Sequence, residues 1–183
     1  MMGAKVPPGF DENPTRWSRR IWLGVLALLG LYVSSYLTLF QIEVFPAVWD
    51  PFFSSEKVLT FLGVPDAALG VLAYATEIVL LSIGGRERWR TMTWTVLALG
   101  FVILSGAVVS VLLILMQAFL VDAWCTLCLA SAAISFAIFA LGYDEPLAGV
   151  RYLGRVRDSG GSAWRALWGK ADAAGEREGR SHA

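Results

Sequence analysis

The chain has 183 residues, 56% hydrophobic and only 16% charged, with a formal net charge of zero. A mean hydropathy of +0.59 is too high for an ordinary soluble domain. Two cysteines and one histidine cannot supply four ligands to an intramolecular structural zinc, and the basic clusters all flank apolar blocks, which leaves no support for nucleic-acid binding.

Residues 1–20, with Pro7, Pro8, Gly9 and Pro14, read as a flexible arm. The first apolar block follows, at about residues 21–40. It begins too late for a secretory signal peptide, and Gln41-Ile42-Glu43 offers no small-residue cleavage site. A connection over 41–66 leads to a second block at about 67–83. The third runs about 92–120, longer than a perpendicular crossing needs, so it should tilt or protrude. The fourth runs about 123–142. Each is long enough to cross ~30 Å of hydrocarbon as a helix. The expected fold is therefore all-α: an integral membrane protein with a four-transmembrane-helix bundle over residues 21–142. A basic tail over 143–183 completes the chain. Tyr143-Asp144-Glu145-Pro146 ends the fourth helix. Stretches 147–157 and 162–170 read as short basic helices on the membrane surface, with Trp164 and Trp168 dipping in. From Ala171 onward the chain reads as disordered.

Orientation follows from the basic residues. Arg16, Arg19 and Arg20 precede the first block; Arg86, Arg88 and Arg90 crowd the second link; Arg151, Arg155 and Arg157 follow the fourth. The 41–66 connection carries a single basic residue, Lys57. Both termini are thus expected in the cytoplasm of a multi-pass cell-membrane protein, with the 41–66 loop outside. Tryptophans agree: Trp17, Trp22, Trp89 and Trp94 fall near inner ends, Trp49 and Trp124 near the outer boundary, as in an interfacial belt.

The two cysteines, Cys125 and Cys128, open the fourth block at that outer boundary. Asp122 reads as the N-cap, which places Cys125 in the first turn, where free N–H groups and the helix dipole favour a thiolate. Cys128 is on the same face one turn deeper. One thiol near water and one near hydrocarbon suit electron passage between a protein thiol and a lipid-soluble acceptor, in a compartment where disulfides persist. The other reading is packing, because free cysteine is a common small core residue.

Several further pieces accompany this pair. Gly30-Leu31-Tyr32-Val33-Ser34-Ser35-Tyr36-Leu37 lies in the first block. Trp49-Asp50, Ser54-Ser55, Gly63-Val64-Pro65, Gly70, Tyr74, Gln117 and Cys125-Thr126-Leu127-Cys128 before Ser131-Ala132 follow in order. The ordered set, over about residues 24–142, resembles the vitamin K epoxide reductase family, including its bacterial disulfide-forming members. The resemblance implies a four-helix bundle around a quinone such as ubiquinone or menaquinone. It implies that Cys128 faces the quinone and can form an adduct with it. Cys125 would exchange disulfides with a loop cysteine pair served by a thioredoxin-like or membrane-bound thiol partner. Here the chain departs from the family: Trp49-Asp50 stands where a Cys-Asp is expected, and the Phe40–Pro46 stretch also lacks a cysteine. No relay between a soluble partner and Cys125 exists within the chain.

Glu77 shares a face with Tyr74 and Gly70. It reads either as a proton donor or partner contact near the quinone, or as a neutral carboxyl bonded to Tyr74 or to a third-block serine. Asp66 falls where the family places a ligand-facing polar group, and equally reads as an N-cap. Ser54 and Ser55 read as loop-ordering groups over the site or as caps before Lys57. Ser105, Gly106 and Ser110 read as packing residues. Three functions remain open from sequence: a thiol–quinone oxidoreductase acting through Cys125 and Cys128; a catalytically degenerate structural or assembly subunit of a larger membrane complex; and a quinone- or lipid-binding protein with vestigial cysteines.

Overall fold

The computed structural model describes residues 6–42, 44, 60–61, 64–121 and 124–170. Trp49, Asp50, Ser54, Ser55, Asp122 and the tail from Ala171 lie outside the described residues. Among the described residues the regular structure is helical apart from a two-residue antiparallel ladder, β1 (Thr60–Phe61) with β2 (Val64–Pro65), which delivers the chain to α2.

The helices follow the apolar blocks closely. They are α1 (Trp17–Gln41), α2 (Asp66–Ser82), a single turn α3 (Arg88–Thr91), α4 (Thr93–Met116), α5 (Thr126–Gly142), α6 (Asp144–Asp158) and α7 (Ala163–Leu167). The four apolar helices α1, α2, α4 and α5 run free of proline. α1 begins three residues past Pro14, and α2 starts directly after Pro65. The over-long third block does not continue as one α-helix. It changes at Gln117 into a π-helical turn, Gln117–Val121.

α1 packs on α2 and α5, and α4 packs on α2 and α5, so the four apolar helices form one bundle. Its core holds Leu23, Ala27, Leu80, Leu81, Leu99, Ile103 and Ile138. α1 and α4 are long and apolar enough to cross a membrane. The pair α5 and α6, bent by 41° at Tyr143, is a third candidate, and α2 is a shorter apolar helix. Asp144, Glu145 and Pro146 do end the fourth helix, and they also form the first turn of α6. There an acidic pair and a proline suit a helix N-terminus.

Helix pairs approach closely where glycine removes a side chain. A methyl group on Gly30 would run into the Tyr74 ring. On Gly70 it would come within 2.7 Å of Ser34 Oγ. Residues 30 and 34 of α1 thus meet 74 and 70 of the antiparallel α2, one pair small against large and the other small against small. Gly106 does not serve this purpose, because a methyl group there would meet open space.

One end of the bundle gathers the arginines. Arg20 and Arg88 are buried, and both donate to the carbonyls that end α2. Arg20 reaches Leu81 and, at 2.8 Å, Gly84; Arg88 reaches Leu80 at 2.7 Å and Ile83 at 3.0 Å. These orphan carbonyls carry the negative end of the helix dipole, so two cations cap it. Arg88 also forms a two-pronged ion pair with Glu145 of α6, itself buried. Two arginines counted from sequence as topology markers are therefore structural as well. Trp89 also departs from the belt reading: it is buried edge-on against Tyr152 rather than placed at the lipid boundary. Residues 6–16, expected as a free arm, pack on this end. Asn13 and Thr15 donate to the Arg86 carbonyl, and Phe10 lies under Arg151. Trp168 of the α7 end sits beside Trp94, at 6.0 Å between ring centres, and both Trp164 and Trp168 are exposed.

Candidate redox site

The opposite end of the bundle carries the cysteines. Cys125 is the N-cap of α5, in extended conformation with φ −120° and ψ 114°, and the helix starts at Thr126. The expectation of Asp122 as the cap is corrected here. Cys125 is not inside the first turn but fills the capping position itself. Its sulfur accepts the Cys128 N–H at 3.1 Å, as a serine or aspartate oxygen would.

The two sulfurs are joined as a disulfide across a Cα–Cα separation of 5.2 Å. The i, i+3 spacing that sequence offered therefore does bring the pair together. Burial differs from the sequence expectation. Cys125 is only 7% exposed, whereas Cys128 is half-buried. The physical reason is the cap, which folds the Cys125 sulfur back over the first turn.

Below Cys128 on the same face of α5 come Ser131 and Ser135. Both meet the hydroxyl of Tyr74 from α2. Tyr74 Oη lies 2.9 Å from the Ser131 carbonyl, 3.1 Å from Ser131 Oγ and 2.8 Å from Ser135 Oγ. The polar partners of Tyr74 are thus fourth-helix serines, not Glu77 and not a third-helix serine. Glu77 follows one turn along α2. It is buried, and its Oε2 has no hydrogen-bond partner among the described residues. It faces a narrow cleft lined by Leu23, Leu81, Leu99, Ile103, Ile138 and Gly142.

Asp66 is the first residue of α2, at the cysteine end, which agrees in position with a helix start. Ser55 lies outside the described residues. Of the sequence candidates, Cys125 and Cys128 are in contact, Tyr74 lies one to two helical turns below them through Ser131 and Ser135, and Glu77 lies one turn further. Sequence reasoning gave no site role to three residues of this array: Gln117 and Ser131, which it quoted only within the motif set, and Ser135, which it did not single out. The serines follow Cys128 at i+3 and i+7, so helical periodicity was a usable signal for them. Gln117 Oε1 accepts the Cys125 N–H at 3.2 Å from the preceding π-turn, a contact no local pattern announces.

Gly30→Ala tests whether Tyr74 is held in place by helix approach. The added methyl must displace the Tyr74 ring and with it the serine bonds. The expected cost is about 1–3 kcal/mol, read as a lowered thermal midpoint in detergent. Gly106→Ala, facing open space, is the matched control and should leave the midpoint unchanged. Equal effects at both positions would show that the Gly30–Tyr74 contact is not specific.

No curated protein matches the chain. The sequence model of the vitamin K epoxide reductase family matches residues 21–143. That span takes in all four apolar helices and the cysteine pair, and the chain is a member of the vitamin K epoxide reductase family.

Proposed function

We propose that the protein is a membrane thiol–quinone oxidoreductase whose Cys125–Cys128 pair exchanges two electrons with a quinone. One observation carries this: the only two cysteines of the chain are bonded to each other at the cap of an apolar helix, with the half-buried hydroxyls of Ser131 and Ser135 meeting the buried Tyr74 below them and the buried Glu77 carboxyl one turn further. A dithiol and a disulfide interconvert by gaining or losing two electrons and two protons. A quinone, when bound, accepts or supplies the same two electrons and two protons.

The residues present fit such a ligand. Glu77 carries an unpartnered carboxyl oxygen in apolar surroundings, and an ionised carboxylate there would cost about 2.5 kcal/mol or more. A neutral carboxyl can instead donate a hydrogen bond to a carbonyl oxygen. Tyr74, Glu77, Asp66 and Ser55 are the proposed contacts, with Cys128 as the quinone-facing sulfur and Cys125 as the sulfur that exchanges with an outside thiol.

In the proposed topology all four apolar helices span the membrane and both termini are cytoplasmic. The arginine end is inside, and the cysteine end faces the periplasm or cell exterior. The arm (1–20), membrane domain (21–142, with loop 41–66) and basic tail (143–183) divide the chain accordingly. Membrane lipid surrounds it, and a thioredoxin-like or membrane-bound thiol protein serves Cys125. Orientation has its own test, on a background with both native cysteines replaced by serine. A cysteine at Ile42, exposed at the end of α1, should react with a membrane-impermeant label in sealed cells. A cysteine at Arg86, exposed at the arginine end, should not. Labelling at Arg86 alone would invert the orientation.

The absent loop pair, with Trp49 in its place, favours a second reading: a degenerate member serving as a subunit of a larger membrane complex. Reduction and reoxidation of the pair decide between them. The purified chain is reduced with dithiothreitol, freed of it, and mixed with a short-chain ubiquinone or menaquinone. Alkylation mass shifts then count free thiols. Loss of both thiols on adding quinone supports the oxidoreductase. Persistent thiols, with a membrane protein co-purifying in fixed ratio, would favour the subunit.

A further inference from the structure

Gln117 is buried, polar and aimed at the redox pair, yet the reaction as described gives it no part. It opens the π-helical turn Gln117–Val121 and is 7% exposed. Its Oε1 accepts the backbone N–H of Cys125 at 3.2 Å. We propose that Gln117 is a positioning residue that holds Cys125 at the N-cap and thereby sets how readily the Cys125–Cys128 disulfide is reduced. This deepens the redox role assigned to the pair above.

The reason lies in what a helix cap requires. In a capping box the N-cap side chain accepts from the N3 amide, and a Glu or Gln at N3 returns the favour by accepting from the N-cap amide. Here Cys125 is the N-cap, Thr126 is N1, Leu127 is N2 and Cys128 is N3. The first half of the box is present, because Cys125 sulfur accepts the Cys128 N–H at 3.1 Å. The second half cannot come from N3. Cys128 has no carboxyl or amide to reach back with, and its sulfur is committed to Cys125. Gln117 supplies the missing acceptor from the preceding helix. A CxxC sequence fills both capping-box positions with sulfur, so its N-cap amide needs an acceptor from elsewhere.

The arrangement bears on redox balance because it treats the two states of Cys125 differently. In the disulfide, sulfur is a weak acceptor. Once reduced, a Cys125 thiolate accepts the Cys128 N–H as a charge-assisted bond, roughly twice as strong as a neutral one. It also sits at the positive end of the α5 dipole. The cap geometry therefore stabilises the reduced form more than the oxidised form. Such differential stabilisation makes a disulfide more oxidising. Without Gln117 the buried Cys125 amide must turn to find another acceptor, and the sulfur leaves the place where it is stabilised. The exchange itself is balanced by an external dithiol. Two electrons and two protons leave the dithiol, which closes to its own disulfide; both electrons arrive on the Cys125–Cys128 pair, one proton goes to Cys128 and the other to solvent, leaving Cys125 as the thiolate.

The chain's two cysteines make the test direct. Selective ¹⁵N-cysteine labelling of the full chain in nanodiscs gives two amide signals, one for each bond under study. In the wild type, the Cys125 amide should exchange slowly with solvent. In Gln117→Met, which keeps an unbranched side chain but removes the acceptor, that signal should shift and exchange at least tenfold faster. Gln117→Glu, which retains an acceptor oxygen, should restore protection. In parallel, the equilibrium between the wild-type disulfide and dithiothreitol is measured against Gln117→Met. The variant should move roughly tenfold toward the disulfide, equivalent to ~1.4 kcal/mol. A fast-exchanging Cys125 amide in the wild type would overturn the proposal even if Gln117→Met fails to fold. So would a Gln117→Met equilibrium within twofold of wild type. The dithiothreitol equilibrium needs no quinone. A chain inert to quinone but dependent on Gln117 would reject the oxidoreductase function and retain this inference; the reverse result would reject only this inference.

Discussion

Cys128→Ser is expected to abolish quinone-linked thiol oxidation, a loss on the order of 10³-fold or more, while leaving a Cys125 thiol that forms a mixed disulfide with an outer-face thiol protein. The reaction needs two sulfurs acting as one unit, so a hydroxyl at either position stops it. The two variants differ in what they retain. Cys125→Ser keeps the half-buried sulfur beside the Ser131–Tyr74–Ser135 cluster, and should keep any spectroscopic response to added quinone. Cys128→Ser keeps the capped sulfur and should lose that response. Absorbance and intact-mass measurements on both variants, with and without quinone, separate these outcomes. A quinone adduct that persists in Cys128→Ser and vanishes in Cys125→Ser would reverse the assigned roles. Because Cys125 is 7% exposed, the mixed disulfide also reports whether a partner can reach it without a loop relay.

The second large effect is expected far from the cysteines. Arg88→Met should destabilise the bundle by about 3–5 kcal/mol, because it leaves the Glu145 carboxylate buried without its partner. The same change strips the Leu80 and Ile83 carbonyls of a donor at the end of α2. Glu145→Leu should cost less than Arg88→Met, since Arg88 would still be held by those two carbonyls. The double variant Arg88→Met/Glu145→Leu should be more stable than the sum of the single losses, because no isolated charge remains. Tryptophan fluorescence melts in detergent read all three. Strict additivity would mean that the pair does not act as a coupled unit. The surface pair Arg16–Glu12, with side chains 52% and 68% exposed, is the control and should contribute almost nothing.

The existence, order and approximate ends of the four apolar helices were legible in the sequence. Uninterrupted apolar runs between charged links leave little alternative to helix in a hydrocarbon setting, where backbone groups must bond within the segment. The family was legible as well, from ordered short motifs rather than from any single one. The packing of Gly30 against Tyr74 and of Ser34 against Gly70 joins residues that sequence placed in the same motif set without saying that they touch. What only the tertiary structure decided are contacts between segments distant in the chain. Arg88 read as a topology charge, and its burial became visible only once α6 delivered Glu145 to it, 57 residues on. Cys125 read as a first-turn residue below Asp122, whereas the folded chain makes it the cap itself. The acceptor that steadies its amide comes from Gln117, in the π-turn that ends the over-long third block. Periodicity reports which residues share a helix face. It does not report which buried donor will find which acceptor, because that choice is made only when whole helices pack and every polar group removed from water must be paired.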